Sequence, residues 1–214
     1  MTIDHVMSAA PVIPVLVLDG SIDPVALAEI LVAAGLPVLE VTLRTPQALD
    51  AIRAMANVPG TIVGAGTVLN KAMLGAAIDA GSRFIVSPGL TESLGLAAIA
   101  SGVPFLPGIA NAGDIMRGLD MGLDRFKFFP AEASGGLKAL AALAGPFGDI
   151  RFCPTGGITP DSAPSWLAHP SVRCVGGSWI VKAGEGDLTA IGERARAAAA
   201  LAPGSTKVSI RSLQ

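Results

Sequence analysis

The chain has 214 residues, a formal net charge of −2 and a mean hydropathy of +0.60. Because only 15% of its residues are charged and no basic stripe stands out, the composition argues against a nucleic-acid partner. No apolar run is as long as a membrane span, and the first ten residues lack the pattern of a signal peptide. We therefore expect a cytoplasmic enzyme with a large core and a subunit interface. Two histidines, and two cysteines without CxxC spacing, leave little for a metal site.

Short β-rich apolar runs alternate with Ala- and Leu-rich helical stretches along the whole chain. Capping side chains precede several of the predicted helices, at Asp23, Thr45, Asn70, Thr91 and Thr159. The predicted strands cover residues 12–18, 38–44, 61–66, 84–87, 103–107, 125–129, 151–154 and 172–175.

Eight such βα units predict a single (β/α)8 TIM barrel domain over residues 1–214, with 204–214 as a loose C-terminal tail. The competing fold is a doubly wound open sheet, which needs a phosphate loop at its first βα turn. Residues 18–24 (LDGSIDP) contain neither a GxGxxG nor a GxxxxGK pattern, so the barrel is favoured.

The predicted strand at 125–129 (RFKFF) places one lysine among three of the seven phenylalanines. Side chains alternate across a strand, so Lys127 and Phe129 share one face while Phe126 and Phe128 share the other. A buried ammonium either loses its proton or pairs with an acid, and an uncharged lysine is an amine nucleophile. The alternative is a lysine whose stem packs while its head reaches solvent or a structural carboxylate.

The segment LEVTLR at 39–44 places three polar side chains, those of Glu40, Thr42 and Arg44, on one strand face. In a barrel the apolar face packs on the helices, so the polar face points inward. One interpretation is an internal Glu40–Arg44 ion pair. The other is an acid–base carboxylate with a guanidinium that anchors an anionic substrate group. Together with Lys127, this second set suits Schiff-base chemistry on an oxo-acid.

Small residues follow three of the predicted strands. The segments TGG at 155–157 and GGS at 176–178, with a short helix beginning near 178–180, predict a phosphate site, although each alone is compatible with an ordinary turn. The segment GAGT at 64–67 is expected to leave room for a ligand. A substrate that fits these features carries a phosphate at one end and a carboxylate at the other.

Six motifs resemble those of the 2-keto-3-deoxy-6-phosphogluconate (KDPG) aldolases, within the class I aldolase family that acts on KDPG and 4-hydroxy-2-oxoglutarate (KHG). The resemblance runs in register from about residue 11 to the last helix, and no motif position departs from the family pattern. The motifs are LEVTLRT (39–45), GAGTVLN (64–70), SPGLTE (87–92), FKFFPAE (126–132), FCPTGGI (152–158) and GGSW (176–179).

This resemblance implies a homotrimeric (β/α)8 barrel of the Entner–Doudoroff pathway that cleaves KDPG to pyruvate and glyceraldehyde 3-phosphate, with side activity on KHG. It implies no metal or other cofactor, because the protonated imine is the electron sink. Lys127 matches the Schiff-base lysine and Glu40 the acid–base glutamate. The substrate-binding positions are matched by Arg44, Thr67, Pro88, Phe129 and Thr155, and the phosphate-binding positions by Gly156, Gly157, Gly176, Gly177 and Ser178.

Three other functions fit part of the pattern. A phosphosugar isomerase or epimerase on the same barrel would use Lys127 as an electrophile, and fold alone does not exclude it. A metal-dependent oxo-acid aldolase is disfavoured by the shortage of histidines and carboxylates in the motifs. A non-catalytic phosphate- or protein-binding barrel is hard to reconcile with a buried Glu40 and a buried Lys127.

Overall fold

The computed structural model of the chain describes residues 1–182 and 184–201, so the predicted tail at 204–214 lies outside the described part. Within that part, short parallel strands alternate with helices. None of the described helices is long and apolar enough to cross a membrane. The strands are β1 (Val12–Leu16), β2 (Val38–Thr42), β3 (Ile62–Gly66), β4 (Ile85–Val86), β5 (Phe105–Leu106), β6 (Gly108–Ile109), β7 (Arg125–Phe128), β8 (Arg151–Pro154) and β9 (Val175–Gly177).

Helices connect most of the successive strands, as repeated βα units require. One helix, α1, precedes the first strand and was not predicted. The helices are α1 (Ile3–Ser8), α2 (Pro24–Ala33), α3 (Ala48–Met55), α4 (Lys71–Asp79), α5 (Glu92–Ser101), α6 (Ala112–Asp120), α7 (Gly136–Ala144), α8 (Ala163–Leu167) and α9 (Leu188–Ala199).

Side-chain caps begin several helices where the sequence predicts them. Asp23, Asn70 and Thr91 each accept a hydrogen bond from a backbone N–H in the first turn of α2, α4 and α5. The prediction at Thr45 is wrong, because a turn follows it before α3 begins. Thr159 does accept from the backbone N–H of Ser162, but in the turn that precedes α8 and not in the helix itself. The Thr45 hydroxyl instead donates to a backbone carbonyl just after β1.

The strands pair in parallel in the order β5-β4-β3-β2-β1-β9 and, separately, β6-β7-β8. The predicted fifth strand is observed as the shorter β5, and a further strand that was not predicted, β6, follows Pro107. β5 pairs with β4, while β6 pairs with β7. Isolated bridges join Phe152 to Val172 and Thr155 to Gly176, linking β8 with the region of β9. The result is an α/β fold with parallel strands in a curled sheet.

Two apolar clusters lie on opposite faces of the strands. In β2, Leu39 and Val41 are fully buried in the main core with the helices. Val38 lies on the other face, in a smaller inner cluster, and Glu40 follows it two positions later on the same face. The inner face therefore changes from apolar to polar along the strand. The inner cluster consists of Val6, Met7, Ile13, Val38, Ile62, Phe84, Val86, Leu106, Cys153 and Cys174.

Helix α1 supplies two fully buried members of the inner cluster, Val6 and Met7. It is also held by a bidentate ion pair, in which Asp4 accepts from Nε of Arg125 at 2.6 Å and from its Nη2 at 3.1 Å. This hydrogen bonding lowers the pKa of Asp4 below its ordinary value and raises that of Arg125. The helix thus packs where the strands are apolar, leaving their other ends for the polar residues.

Candidate active site

Lys127 on β7 and Glu40 on β2 meet across the inner face of the sheet. The Lys127 Nζ donates to Glu40 Oε1 at 2.9 Å, and the two residues are only 5% and 3% exposed. Neither strand is a hydrogen-bonded neighbour of the other, so the contact crosses the space that the curled sheet encloses. Burying two charges is costly unless they pair at such short range. The structure therefore supplies the acidic partner that a buried lysine needs.

The alternation predicted for β7 is confirmed. Phe126 and Phe128 are fully buried in the main core with the helices, where the Phe128 ring lies 6.3 Å from that of Trp166. Phe129 instead places its ring 5.3 Å from Lys127 Nζ, on the inner side. The peptide bond from Phe129 to Pro130 is cis. An aromatic face next to an ammonium adds a modest attraction and limits where Nζ can move.

The polar side chains of the second predicted strand separate into different environments. Thr42 is fully buried and donates to the carbonyl of Leu16, a structural bond to the neighbouring strand. Arg44 lies in the turn beyond β2, where it is exposed and donates from Nε to Thr67 Oγ1 at 3.3 Å. The interpretation of an internal Glu40–Arg44 ion pair is therefore wrong, because Lys127 is the partner of Glu40.

The small residues of β3 make room for protein side chains. A Cβ atom on Gly66 would lie 2.2 Å from Oε1 and 2.7 Å from Cγ of Glu40, while one on Gly64 would lie 2.4 Å from the ring of Phe84. Our expectation of ligand space at both positions thus needs correction. Gly66 is a site residue that the sequence argument missed, since its role depends on a side chain from a neighbouring strand. Thr67 follows it with a φ of 60°, which directs the chain away from the strand.

Thr155, at the end of β8, is 6% exposed and lies on the same inner face as Cys153. Its side chain fills the space beside Gly176, where a Cβ atom would lie 2.2 Å from Oγ1.

Pro88 is partly buried after β4, and Gly108 packs against its carbonyl so closely that a Cβ atom there would lie 2.2 Å from the oxygen. A glycine is therefore required at position 108 by the close approach of two backbone segments.

The predicted phosphate loop follows β8 with two left-handed glycines, Gly156 at φ 103° and Gly157 at φ 81°. Among the described hydrogen bonds, the backbone N–H groups of these glycines and of Ser178 donate to no protein acceptor. Free N–H groups in a turn are suited to an anion. The Gly176–Gly177 pair lies within β9 instead of after it, and the helix predicted near 178–180 is wrong because those residues form bends.

The two cysteines lie in the inner cluster, as expected of core residues. Cys153 and Cys174 are both free and buried. The hydrogen bond with Cys153, followed by burial, raises the pKa of the Cys174 thiol well above its usual range. Within the described residues, no group of three or more His, Cys, Asp and Glu side chains is arranged to hold a metal ion.

Comparisons with known proteins agree with the motifs. The family model described as KDPG and KHG aldolase matches residues 3–194. A 2-dehydro-3-deoxy-phosphogluconate aldolase of Zymomonas mobilis is 60% identical over 198 residues, which are 92% of this chain and 95% of that protein.

Solved structures are equally similar. The 2-keto-3-deoxy-6-phosphogluconate aldolase of Zymomonas mobilis with 3-phosphoglycerate has a TM-score of 0.91 and 60% identity, covering 94% of this chain and 96% of that one. The KDPG aldolase of Legionella pneumophila, with pyruvate captured as a covalent carbinolamine intermediate, has a TM-score of 0.90 and 43% identity over 93% and 98%. This chain belongs to the KDPG and KHG aldolase family.

Proposed function

We propose that the protein is a class I aldolase that cleaves KDPG to pyruvate and glyceraldehyde 3-phosphate. The observation that carries the proposal is the buried contact of 2.9 Å between Lys127 Nζ and Glu40 Oε1. A nucleophilic amine needs a free electron pair, and a carboxylate in hydrogen-bond contact is placed to take the ammonium proton. Family membership supports the same chemistry.

The reaction begins at the C2 ketone of the substrate. Lys127 Nζ attacks C2 to give a carbinolamine. Glu40 then donates the proton that allows the hydroxyl of the carbinolamine to leave as water. The product is a protonated imine between Nζ and C2. Because both side chains are almost fully buried, bulk water is kept from the reacting centre.

The carbon–carbon bond breaks next. Glu40, acting as a base directly or through water, removes the C4 hydroxyl proton, and the C3–C4 electron pair moves into the imine to form an enamine. Glyceraldehyde 3-phosphate leaves as the new aldehyde. Protonation of C3 restores the imine, and hydrolysis frees pyruvate and the Lys127 amine. The positive imine nitrogen is the electron sink throughout.

The ends of the substrate are assigned to the remaining residues. The Arg44 guanidinium, hydrogen-bonded to Thr67, binds the carboxylate. Pro88 and Phe129 border the pyruvyl part, and the Thr155 hydroxyl contacts the C4 hydroxyl. The phosphate lies against backbone N–H groups, a role supported by the free donors after β8 and β9. The phosphate-binding residues are Gly156, Gly157, Gly176, Gly177 and Ser178.

The remaining features of the proposal concern the whole molecule. The curled sheet, the pairing of β1 with β9 and the bridges from β8 support one closed (β/α)8 barrel domain. Exposed Leu96 and Ile99 on α5, with Met116 and Leu119 on α6, support a subunit interface, and the family resemblance makes it that of a homotrimer. A cytoplasmic location remains a prediction from the composition, and side activity on KHG remains one from the resemblance.

The test is cleavage of KDPG by the purified protein, with pyruvate measured by a coupled dehydrogenase. We expect steady turnover for the natural protein and none above background for Lys127→Met, whose fold is checked by circular dichroism. An isomerase or epimerase, which the family match does not favour, would convert its substrate without releasing pyruvate. A folded protein that releases no pyruvate from KDPG would overturn the proposal.

A further inference from the structure

The glycine loop after β8 is supported by the loop that follows the lysine strand. The backbone N–H of Ala131 donates to the carbonyl of Thr155 at 2.8 Å, and that of Glu132 donates to the carbonyl of Gly156 at 3.0 Å. These two bonds continue the β7–β8 pairing beyond the ends of the strands. The position of the glycine loop therefore depends on where residues 131 and 132 are held.

Glu132 is held by a buried tryptophan of α8. The Trp166 Nε1 donates to Glu132 Oε1 at 3.0 Å, and Trp166 itself is only 2% exposed. Its ring packs beside Phe128, so the core sets where the indole N–H points. Glu132 itself is exposed, so removal of its carboxylate would exchange a fixed acceptor of the indole N–H for mobile solvent.

The stem of Glu132 also lies directly against the glycine loop. A Cβ atom on Gly157 would be 2.7 Å from Cβ and 2.8 Å from Cγ of Glu132. Glu132 thus contacts the glycine loop through its stem and its backbone N–H. Its carboxylate is separately bound to Trp166 in the core. None of the mechanism above uses this carboxylate.

We propose that Glu132 is a positioning residue for the phosphate subsite. Its hydrogen bond with Trp166 holds the backbone N–H groups of Gly156 and Gly157 in place for the terminal phosphate, and thereby sets the preference for phosphorylated oxo-acids. Donors that are fixed before binding lose little entropy when the anion arrives. The inference rests on the phosphate site assigned in the proposed function.

The test compares KDPG with its unphosphorylated analogue, 2-keto-3-deoxygluconate. Glu132→Ala removes the acceptor, Trp166→Phe removes the donor but keeps a ring, and Glu132→Gln keeps an acceptor without the charge. We expect the first two to raise KM for KDPG about 5- to 20-fold, near and below the lower end of what one charged hydrogen bond is worth, because this bond acts on the phosphate only through the loop. In these two variants, kcat for KDPG and kcat/KM for the analogue should both stay within about threefold of the values of the natural protein. Glu132→Gln should bind KDPG no more weakly than the natural protein does.

A purely structural role would lower kcat/KM for both substrates together. An equal loss of kcat/KM on KDPG and on its analogue therefore overturns the inference. A rise of KM for KDPG in Glu132→Gln as large as that in Glu132→Ala also overturns the inference. The charge of the carboxylate, and not its hydrogen bond with Trp166, would then be responsible. If the natural protein prefers phosphate and neither Glu132→Ala nor Trp166→Phe changes that preference, the inference alone fails. If the natural protein itself does not prefer KDPG to its unphosphorylated analogue, the phosphate site assigned in the proposed function is wrong, and the inference is wrong with it.

Discussion

Two of the ion pairs on strand β7, made by residues two positions apart, differ in burial. Arg125 binds Asp4 of α1 with side chains 17% and 48% exposed, whereas Lys127 binds Glu40 with side chains 7% and 4% exposed. The first pair keeps more of its solvation than the second and joins one helix to the sheet. The buried pair loses most of its solvation, and an apolar pair of similar size would stabilise the fold more. The difference fits the proposal that Lys127 and Glu40 serve the chemistry, while Arg125 and Asp4 serve the fold.

The largest expected effect is on turnover. Replacement of Glu40 by Gln keeps the shape but removes the base, and we expect kcat for KDPG cleavage to fall by about 10²- to 10⁴-fold. Asp4→Asn is the matched control, because it removes the carboxylate of the other ion pair and should leave kcat unchanged. Steady-state assays of both variants make the comparison, and a similar kcat in Glu40→Gln and the natural protein would contradict it.

A smaller loss is expected when Glu40 is displaced instead of replaced. Gly66→Ala would place a methyl group in contact with the carboxylate, and we expect kcat to fall about 10- to 100-fold. Gly64→Ala is the counterpart, because its methyl group meets the Phe84 ring of the inner cluster. It should cost about 1–3 kcal/mol of unfolding free energy, while the folded fraction keeps its kcat. Steady-state kinetics and urea unfolding of both variants test this prediction. Equal changes of kcat and of unfolding free energy in the two variants would contradict it.

The stability of the buried pair gives the next test. The double variant Glu40→Met/Lys127→Met removes both charges and should be inactive, yet more stable by about 1–4 kcal/mol in urea unfolding. Removing the carboxylate of the more exposed pair, as Asp4→Asn, should change the unfolding free energy by less than about 1 kcal/mol. A loss of stability in the double variant would mean that the fold itself depends on the Lys127–Glu40 contact.

The smallest effect concerns pH. Arg125 lowers the pKa of Asp4, so this pair stabilises the fold above the ordinary pKa of the carboxyl and loses that effect as pH falls through the lowered value. Urea unfolding from pH 7 towards acid pH should therefore show Asp4→Asn slightly less stable at neutral pH, with the difference shrinking once the pH falls below the ordinary pKa of the carboxyl. A difference that stays constant over the range would assign the loss to packing.

Much of this arrangement follows from local patterns in the sequence. A period of two along a strand is enough to place Lys127 with Phe129 and to separate them from Phe126 and Phe128. The same rule places Glu40 on an inner face. Helix caps such as Asp23 are equally local, because the side chain binds N–H groups of the next residues.

The rest depends on contacts between distant segments. Periodicity left Glu40 with two plausible partners, Arg44 on its own strand and Lys127 on another. The folded chain decides between them, because it turns after β2 and the lysine 87 positions away is the partner. The role of Gly66 likewise appears only when β2 lies beside β3. Helix α1 was missed because six residues carry too little periodicity to be recognised before their packing site is known.

The most direct test of the central claim is mass spectrometry of the protein after incubation with pyruvate and borohydride. The account predicts that an imine at Lys127 is reduced to a stable pyruvyl adduct, which peptide mapping places on this lysine and which is absent from Lys127→Ala. No adduct on a folded natural protein, or an adduct that persists in Lys127→Ala, would contradict it, and Lys127 would then act as a charge and not as a nucleophile.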